Sequence, residues 1–354
     1  MSVSFTPSGA WTALVTPFDA QGRFHADAFR KLVEFQIAQG IDGIVPVGTT
    51  GESPTLSWDE HILVLEAAVK AAGDRIGVLA GTGSNATEEA VAGTRHAREA
   101  GASAALLVDC YYNGPSSLEL RTEYYERVLA EVPEIPLVPY IIPGRTGCAL
   151  SAEDLAMLHR AQPERVPAVK EATGDLERMR RDREMCGPGL AILSGDDDLT
   201  LKMMQDVRIG ASGAISVMSN LAPAAVSRMV ARQRSGEGAQ ADELCALLAP
   251  LFRLVGCKVR GERQLPGGGR VSVEDRFRNP LPVKTMMAGL GMPVGGCRRP
   301  LGKMTRAGID QCRAALREVH KAAPEILAPI GETFGVDIER RIEDAAAWAP
   351  LTRD

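Results

Sequence analysis

Eight short apolar runs, spread through the first 233 residues and each followed by an amphipathic stretch, restrict this chain more than any other feature of it. They begin at Trp11 (WTALVTPF), Gly43 (GIVPVG), Gly77 (GVLAGTG), Ala104 (AALLVDCY), Leu137 (LVPYII), Val166 (VPAVKEAT), Ala191 (AILSGDD) and Ala211 (ASGAISV). Near-continuous apolar runs of this length suit strands buried on both faces, as parallel sheets require. The stretches between them carry helical spacing: FRKLVEFQIAQG has Leu32, Val33, Phe35 and Ile37 on one side, and SWDEH opens with a capping box of Ser57 and Glu60. An open doubly wound sheet shares this alternation, but eight β-then-α units point to a closed (β/α)8 TIM barrel over residues 1–233. Residues 234–354 read as a helical C-terminal region, interrupted near 258–278 by a Gly-rich insertion expected to be a polar loop.

Charge narrows the partners. A net charge of −5 with no basic run interleaved with aromatics argues against nucleic acid and anionic membranes, leaving small molecules. Seven scattered cysteines, with no CxxC pair, and five histidines without paired spacing suggest no metal site and reduced thiols of a cytoplasmic protein. The N-terminus lacks a basic segment followed by an apolar one, so no presequence is expected, and no apolar run approaches the roughly 18 residues of a membrane span.

In a barrel, catalytic groups gather where strands end in βα loops. The polar residues fall there: Thr49 and Thr50 in GTTGES, Tyr111 and Tyr112 in YYNGPS, Tyr140 and Arg145 in YIIPGRTG, and Lys170 in VKEATGD. Lys170 is the anomaly. Alternation along the strand puts it on the lumen face with Ala168 and Ala172, while Val169 and Glu171 face the helices. A desolvated amine is expected to have a lowered pKa and to attack a keto acid as a Schiff base. Each residue also has an ordinary reading. The lysine stem can lie on apolar surface with its amine in water, the tyrosines can be packing aromatics, Arg145 a turn residue, and Asp196, Asp197 and Asp198 a helix cap, the reading preferred for that trio.

Taken together and in order, GTTGES, YIIPGRTG, VKEATGD, LSGDD and NPLPVK resemble the dihydrodipicolinate synthase branch of the pyruvate-dependent lyase family that also holds N-acetylneuraminate lyase. The resemblance implies that Lys170 forms the imine with pyruvate and needs no organic cofactor or metal. It implies that Tyr140, Thr50 and Tyr112 form a proton relay, with Tyr112 supplied across a tight-dimer interface. Thr49 and Thr50 would receive the pyruvate carboxylate, Gly213 and Ile215 would lie around pyruvate through their backbone, and Arg145 would hold the carboxylate of the second substrate. The implied reaction is condensation of pyruvate with L-aspartate 4-semialdehyde to 4-hydroxy-tetrahydrodipicolinate, on the route to lysine and diaminopimelate. The implied assembly is a homotetramer, a dimer of dimers.

Ser53, Trp58, His61, Asn85, Glu89 and Tyr111 match the positions at which feedback-inhibited relatives bind lysine, so an allosteric effector site is expected there. Two departures stand out. Ile141 follows Tyr140 where the family commonly has asparagine, and the insertion exceeds the usual length. A sister lyase acting on a sugar acid or other aldehyde would share Lys170 and Tyr140 but has no use for the Arg145 clamp. A catalytically silent barrel used as a binding module would not need the four relay and imine residues together.

Overall fold

In the computed structural model, which describes residue 5 and residues 7–353, eight parallel strands close on themselves in sequence order, so the (β/α)8 expectation holds. They are β1 (Gly9–Ala13), β2 (Gly43–Val45), β3 (Gly77–Gly81), β4 (Ala104–Val108), β5 (Leu137–Ile141), β6 (Ala168–Glu171), β7 (Ala191–Ser194) and β8 (Gly213–Ser216). β1 pairs with both β2 and β8, which removes any open sheet edge.

The apolar runs divide into two cores by period-2 alternation. One cluster fills the lumen and includes Trp11, Leu79, Leu106, Val138, Leu193 and Ile215. The other packs the outer strand faces against the helices, with Leu14, Ile44, Val78, Leu107, Ile141 and Val169. Trp11 explains why β2 and β3 begin with glycine. A methyl on Gly43 or Gly77 would lie 2.2 or 2.4 Å from atoms of its ring, so the largest lumen side chain fits only where two strands carry none.

The capping box forms as read. Ser57 accepts from the Glu60 N–H, Glu60 accepts from the Ser57 N–H, and the helix Trp58–Ala72 follows. Glu60 also takes the Arg298 guanidinium at 2.5 and 2.6 Å, and that contact holds its carboxyl down at about 2. The C-terminal region is thereby tied to the first turn of the helix that follows β2.

The insertion departs from expectation. Gly256–Gln264 and Arg270–Arg278 form an antiparallel hairpin, β9 and β10, in register from Gly256↔Arg278 to Gln264↔Arg270. Alternating Cys257 and Val259 with Val271, Val273 and Phe277 supply one semi-apolar face, and Gly267, Gly268 and Gly269, all at positive φ, make the turn. The Gly-rich centre had masked strand alternation on both sides. Helices Gly238–Phe252, Leu281–Gly289 and Arg306–Ala322 flank the hairpin in sequence.

Outside the lumen, Glu171 is fully buried and packs toward Asp182 of the helix Leu176–Cys186, itself paired to Arg178 at 2.8 Å. Burial first and then the Asp182 charge push the Glu171 pKa well above the carboxylate range; Asp182 also rises through burial, partly offset by Arg178. Glu171 therefore keeps a proton that the unfolded chain gives up near pH 4. The folded state binds more protons between the two pKa values, so this stabilisation is complete at low pH and declines as pH rises through the folded-state pKa. Glu171→Gln, which carries a permanent hydrogen on that side chain, is expected to flatten the alkaline fall in urea midpoint. Parallel pH profiles for variant and parent would rule out the proton held on Glu171.

Candidate active site

Tyr140 on β5 pairs in register with Lys170 on β6, and both are only 5% exposed. The Lys170 Nζ lies 4.0 Å from the centroid of the Tyr140 ring. Ala168 and Ala172 share the lumen cluster while Val169 belongs to the outer core, so the face assigned to the lysine follows from alternation. Gly195, in LSGDD, completes the clearance: a methyl there would sit 2.7 Å from the Ala172 Cβ and 3.1 Å from the Lys170 Cε. Asp196 follows it, and burial, with the neighbouring Asp198 charge, pushes its pKa up to about 6 against a lowering pull from Lys170.

The GTTGES loop continues β2. Its Gly51 and Ser53 N–H groups both donate to the Gly48 carbonyl at 3.1 Å, whereas those of Thr49 and Thr50 meet no protein acceptor among the described residues. Such open N–H groups suit a carboxylate. Thr50 is buried, and its hydroxyl oxygen accepts from the Asn279 amide at 2.9 Å. That leaves the Thr50 proton free to be donated elsewhere. Val47 and Glu52 within this loop, and Tyr112, are the non-glycine residues at positive φ among those described. Each such residue stores on the order of 1–3 kcal/mol, and all three lie in loops at the carboxyl ends of strands.

A cavity of about 340 Å3 is lined by Thr49, Ser53, Tyr111, Tyr140, Ile142 and Arg145, among others. Arg145 is exposed along this opening, and its guanidinium donates to the Asn279 carbonyl at 2.9 Å. Desolvation lowers its pKa, and the nearby Arg278 and Arg276 charges push the same way against Tyr140. A second cavity of about 480 Å3 adjoins it, sharing Thr49 and Arg145. Gly213 pairs with Leu193, the register neighbour of Lys170, and no side chain fits at 213 because β1 at Gly9 would lie 1.9 Å away. Ile215 is in the lumen cluster.

Tyr112 stands apart. It is 93% exposed and lines neither cavity within one chain. Five of the six effector-position residues form two small groups: the Trp58 and His61 rings meet at a tilt with centroids 4.7 Å apart and His61 meets Ser53, while Asn85 accepts from the Tyr111 N–H; Glu89 accepts from Ser84 Oγ. Burial depresses the His61 pKa.

The acidic trio does not cap the helix Thr200–Gln205, whose first flanking residue is Leu199 with no side-chain cap. Asp197 instead accepts from Ser216 Oγ and from the Val217 and Met218 N–H groups, because the close of β8 leaves those donors buried beside it. No cluster of three metal-ligating side chains occurs among the described residues. Sequence reasoning assigned no role to Asn279, Glu52, Lys284 or Gly195. All four lie within motifs already singled out, GTTGES, NPLPVK and LSGDD, but their partners are set only by the fold.

A closed parallel barrel with one buried lysine against a tyrosine at the carboxyl ends of its strands defines the class of lysine-dependent barrel lyases and aldolases. The sequence model of the Dihydrodipicolinate synthetase family matches residues 6–259, and the chain belongs to that family. A curated relative named 4-hydroxy-tetrahydrodipicolinate synthase from Synechococcus sp. (strain CC9605) is 40% identical over 322 residues, covering 90% of this chain and 98% of that protein. The dihydrodipicolinate synthase of Acinetobacter baumannii, described as chloride inhibited and complexed with pyruvate, is 35% identical with a TM-score of 0.78, covering 89% of this chain and 99% of that one. The enzyme of Cyanidioschyzon merolae, solved with lysine bound, is 32% identical with a TM-score of 0.78 over 88% and 98% of the two chains.

Proposed function

We propose that this chain is a 4-hydroxy-tetrahydrodipicolinate synthase, condensing pyruvate with L-aspartate 4-semialdehyde in the biosynthesis of lysine and diaminopimelate. The observation that carries the reading is the Lys170 amine, 5% exposed and 4.0 Å from the Tyr140 ring centroid, among small lumen neighbours. Lys170 attacks the pyruvate ketone and water leaves, giving an iminium ion that serves as the electron sink; the chemistry calls for no cofactor. Loss of a methyl proton to the relay of Tyr140 and Thr50 gives the enamine. Its carbon forms the new bond to the aldehyde carbon, whose oxygen takes a proton back. The substrate's own amino group then attacks the iminium carbon and displaces Lys170.

Thr49 and Thr50 receive the pyruvate carboxylate through their open N–H groups, and the backbone around Gly213 and Ile215 bounds the same space. Arg145 takes the carboxylate of the aldehyde in a paired fork. That clamp favours this acceptor over a sugar acid. Tyr112 completes the relay from a second copy, in a homotetramer built as a dimer of dimers, which accords with its exposure in the single chain. Incubation with pyruvate and borohydride should add a permanent mass to Lys170, and an acceptor screen should show turnover with L-aspartate 4-semialdehyde. Turnover confined to a sugar-acid aldehyde would replace this reading with the sister activity; no adduct would leave a silent barrel. Among the described residues no helix is long and apolar enough to cross a membrane.

Lysine acts on this enzyme as an inhibitor at Ser53, Trp58, His61, Asn85, Glu89 and Tyr111. The relative solved with lysine bound and the tilted ring contact between Trp58 and His61 support this. Millimolar lysine is expected to lower initial rates at pH 7–8, and Trp58→Ala to weaken it about fivefold by removing the ring beneath the effector's stem and ammonium. Unchanged rates with lysine across that range would end the regulatory reading.

A further inference from the structure

The cavity of about 480 Å3 beside the one lined by Tyr140 shares Arg145 with the proposed reaction and adds cations that the reaction does not use. Arg276 and Arg278 of β10, Lys303 and Arg145 line it, drawn from three separate segments, and none of the four has a carboxylate partner among the described residues. The acidic groups on the wall are already engaged: Glu52 by Lys284 and the Arg298 N–H, Asp275 by Arg263 at 2.8 Å. Two of the guanidinium groups are held by neutral oxygens, Arg278 on the Gly144 carbonyl at 3.0 Å and Arg145 on that of Asn279 at 2.9 Å. These contacts orient the forks without neutralising them.

Asn279 adds an independent sign. It lines the same cavity, is 7% exposed, and its Oδ1 is buried with no partner. Clustered cations repel one another, and a buried acceptor without a partner is destabilising, so both features call for a ligand carrying negative charge and a hydrogen-bond donor.

We propose that this cavity is a binding site for a small organic dianion bearing a hydroxyl, a hydroxy-dicarboxylate or a phosphate compound, held by Arg276 and Arg278 of the inserted hairpin with Asn279 accepting from its O–H. Guanidinium forks match either anion bidentately. Because Thr49 and Arg145 line both cavities, an occupant excludes the acceptor aldehyde. Only that competition rests on the function proposed above; the site itself does not.

Calorimetric titration of the full-length protein with L-malate and, separately, inorganic phosphate, at ionic strength fixed with sodium chloride, tests it without turnover. At least one probe should bind, and which one does identifies the anion's chemistry. The double variant Arg276→Gln/Arg278→Gln, at exposed hairpin positions, should weaken that binding tenfold or more. Arg270→Gln, equally basic but outside the cavity, should leave it within twofold. Malate should also bind more tightly than succinate, which lacks the hydroxyl. Absence of binding by either probe, equal affinity in the double variant, or equal loss in Arg270→Gln would overturn the site. A change only in sedimentation behaviour of the double variant would do the same, by making the hairpin an assembly surface. The Lys170 adduct assay reports on the catalytic reading separately.

Discussion

Lys170→Ala is expected to leave no borohydride-trapped pyruvate adduct and to lower turnover by on the order of 10⁴-fold or more, the scale on which loss of a covalent nucleophile acts. The substitution removes a buried polar group from among Ala168, Ala172 and Gly195, so the fold should persist. Lys170→Arg sharpens the test. It retains a cation near Tyr140, but a guanidinium with a pKa above about 12 stays protonated and does not attack a ketone. Both variants should therefore fail alike, showing that nucleophilicity and not charge is required. Mass spectrometry of the trapped protein, with far-ultraviolet dichroism for folding, decides the matter. Persistence of the adduct on Lys202 or Lys284 in a folded Lys170→Ala protein would relocate the chemistry.

Lys284→Met is expected to cost about 3–5 kcal/mol of stability, because it strands a buried carboxylate. The Lys284 and Glu52 side chains are 1% and 0% exposed, and the ammonium meets Glu52 at 2.5 Å, the Thr16 carbonyl at 2.9 Å and the Gly296 carbonyl at 3.0 Å. It also lies 4.4 Å from the Phe18 ring centroid. A fall in melting temperature on the order of 10 °C follows from that loss. Glu52→Gln/Lys284→Met, which removes both charges, should recover much of it, since a pair of buried charges is dear to break but not to replace. The pair has a second effect. Glu52 sits at φ 56, a conformation its side-chain contacts must hold, in the loop that presents Thr49 and Thr50. Surviving Lys284→Met protein should therefore show a raised KM for pyruvate. A melting temperature within 2 °C of the parent would mean the pair contributes little.

The insertion shows how a correct local observation can still mislead. LPGGG does form a turn, but Val259, Val271, Val273 and Phe277 alternate on either side, and two nine-residue strands result. Composition averaged over the segment hid a period of two. The acidic trio misled differently: three aspartates ahead of a helix satisfy a capping pattern, yet β8 folds back beside them and its buried N–H groups draw Asp197 instead. A short-range rule lost to a long-range donor.

What the chain determined by itself is periodic and local. Eight buried strands with helices between them select the closed barrel, and alternation within VPAVKEAT aims Lys170 into its lumen, because side-chain direction along a strand follows from position alone. Tertiary structure decided which distant residues meet: Asn279 with Thr50 across 229 positions, Lys284 with Glu52 across 232, and the β10 arginines with Arg145 at the barrel mouth. Such pairs carry no signal in their spacing, since closing the barrel, and not any local preference, brings them within hydrogen-bonding reach.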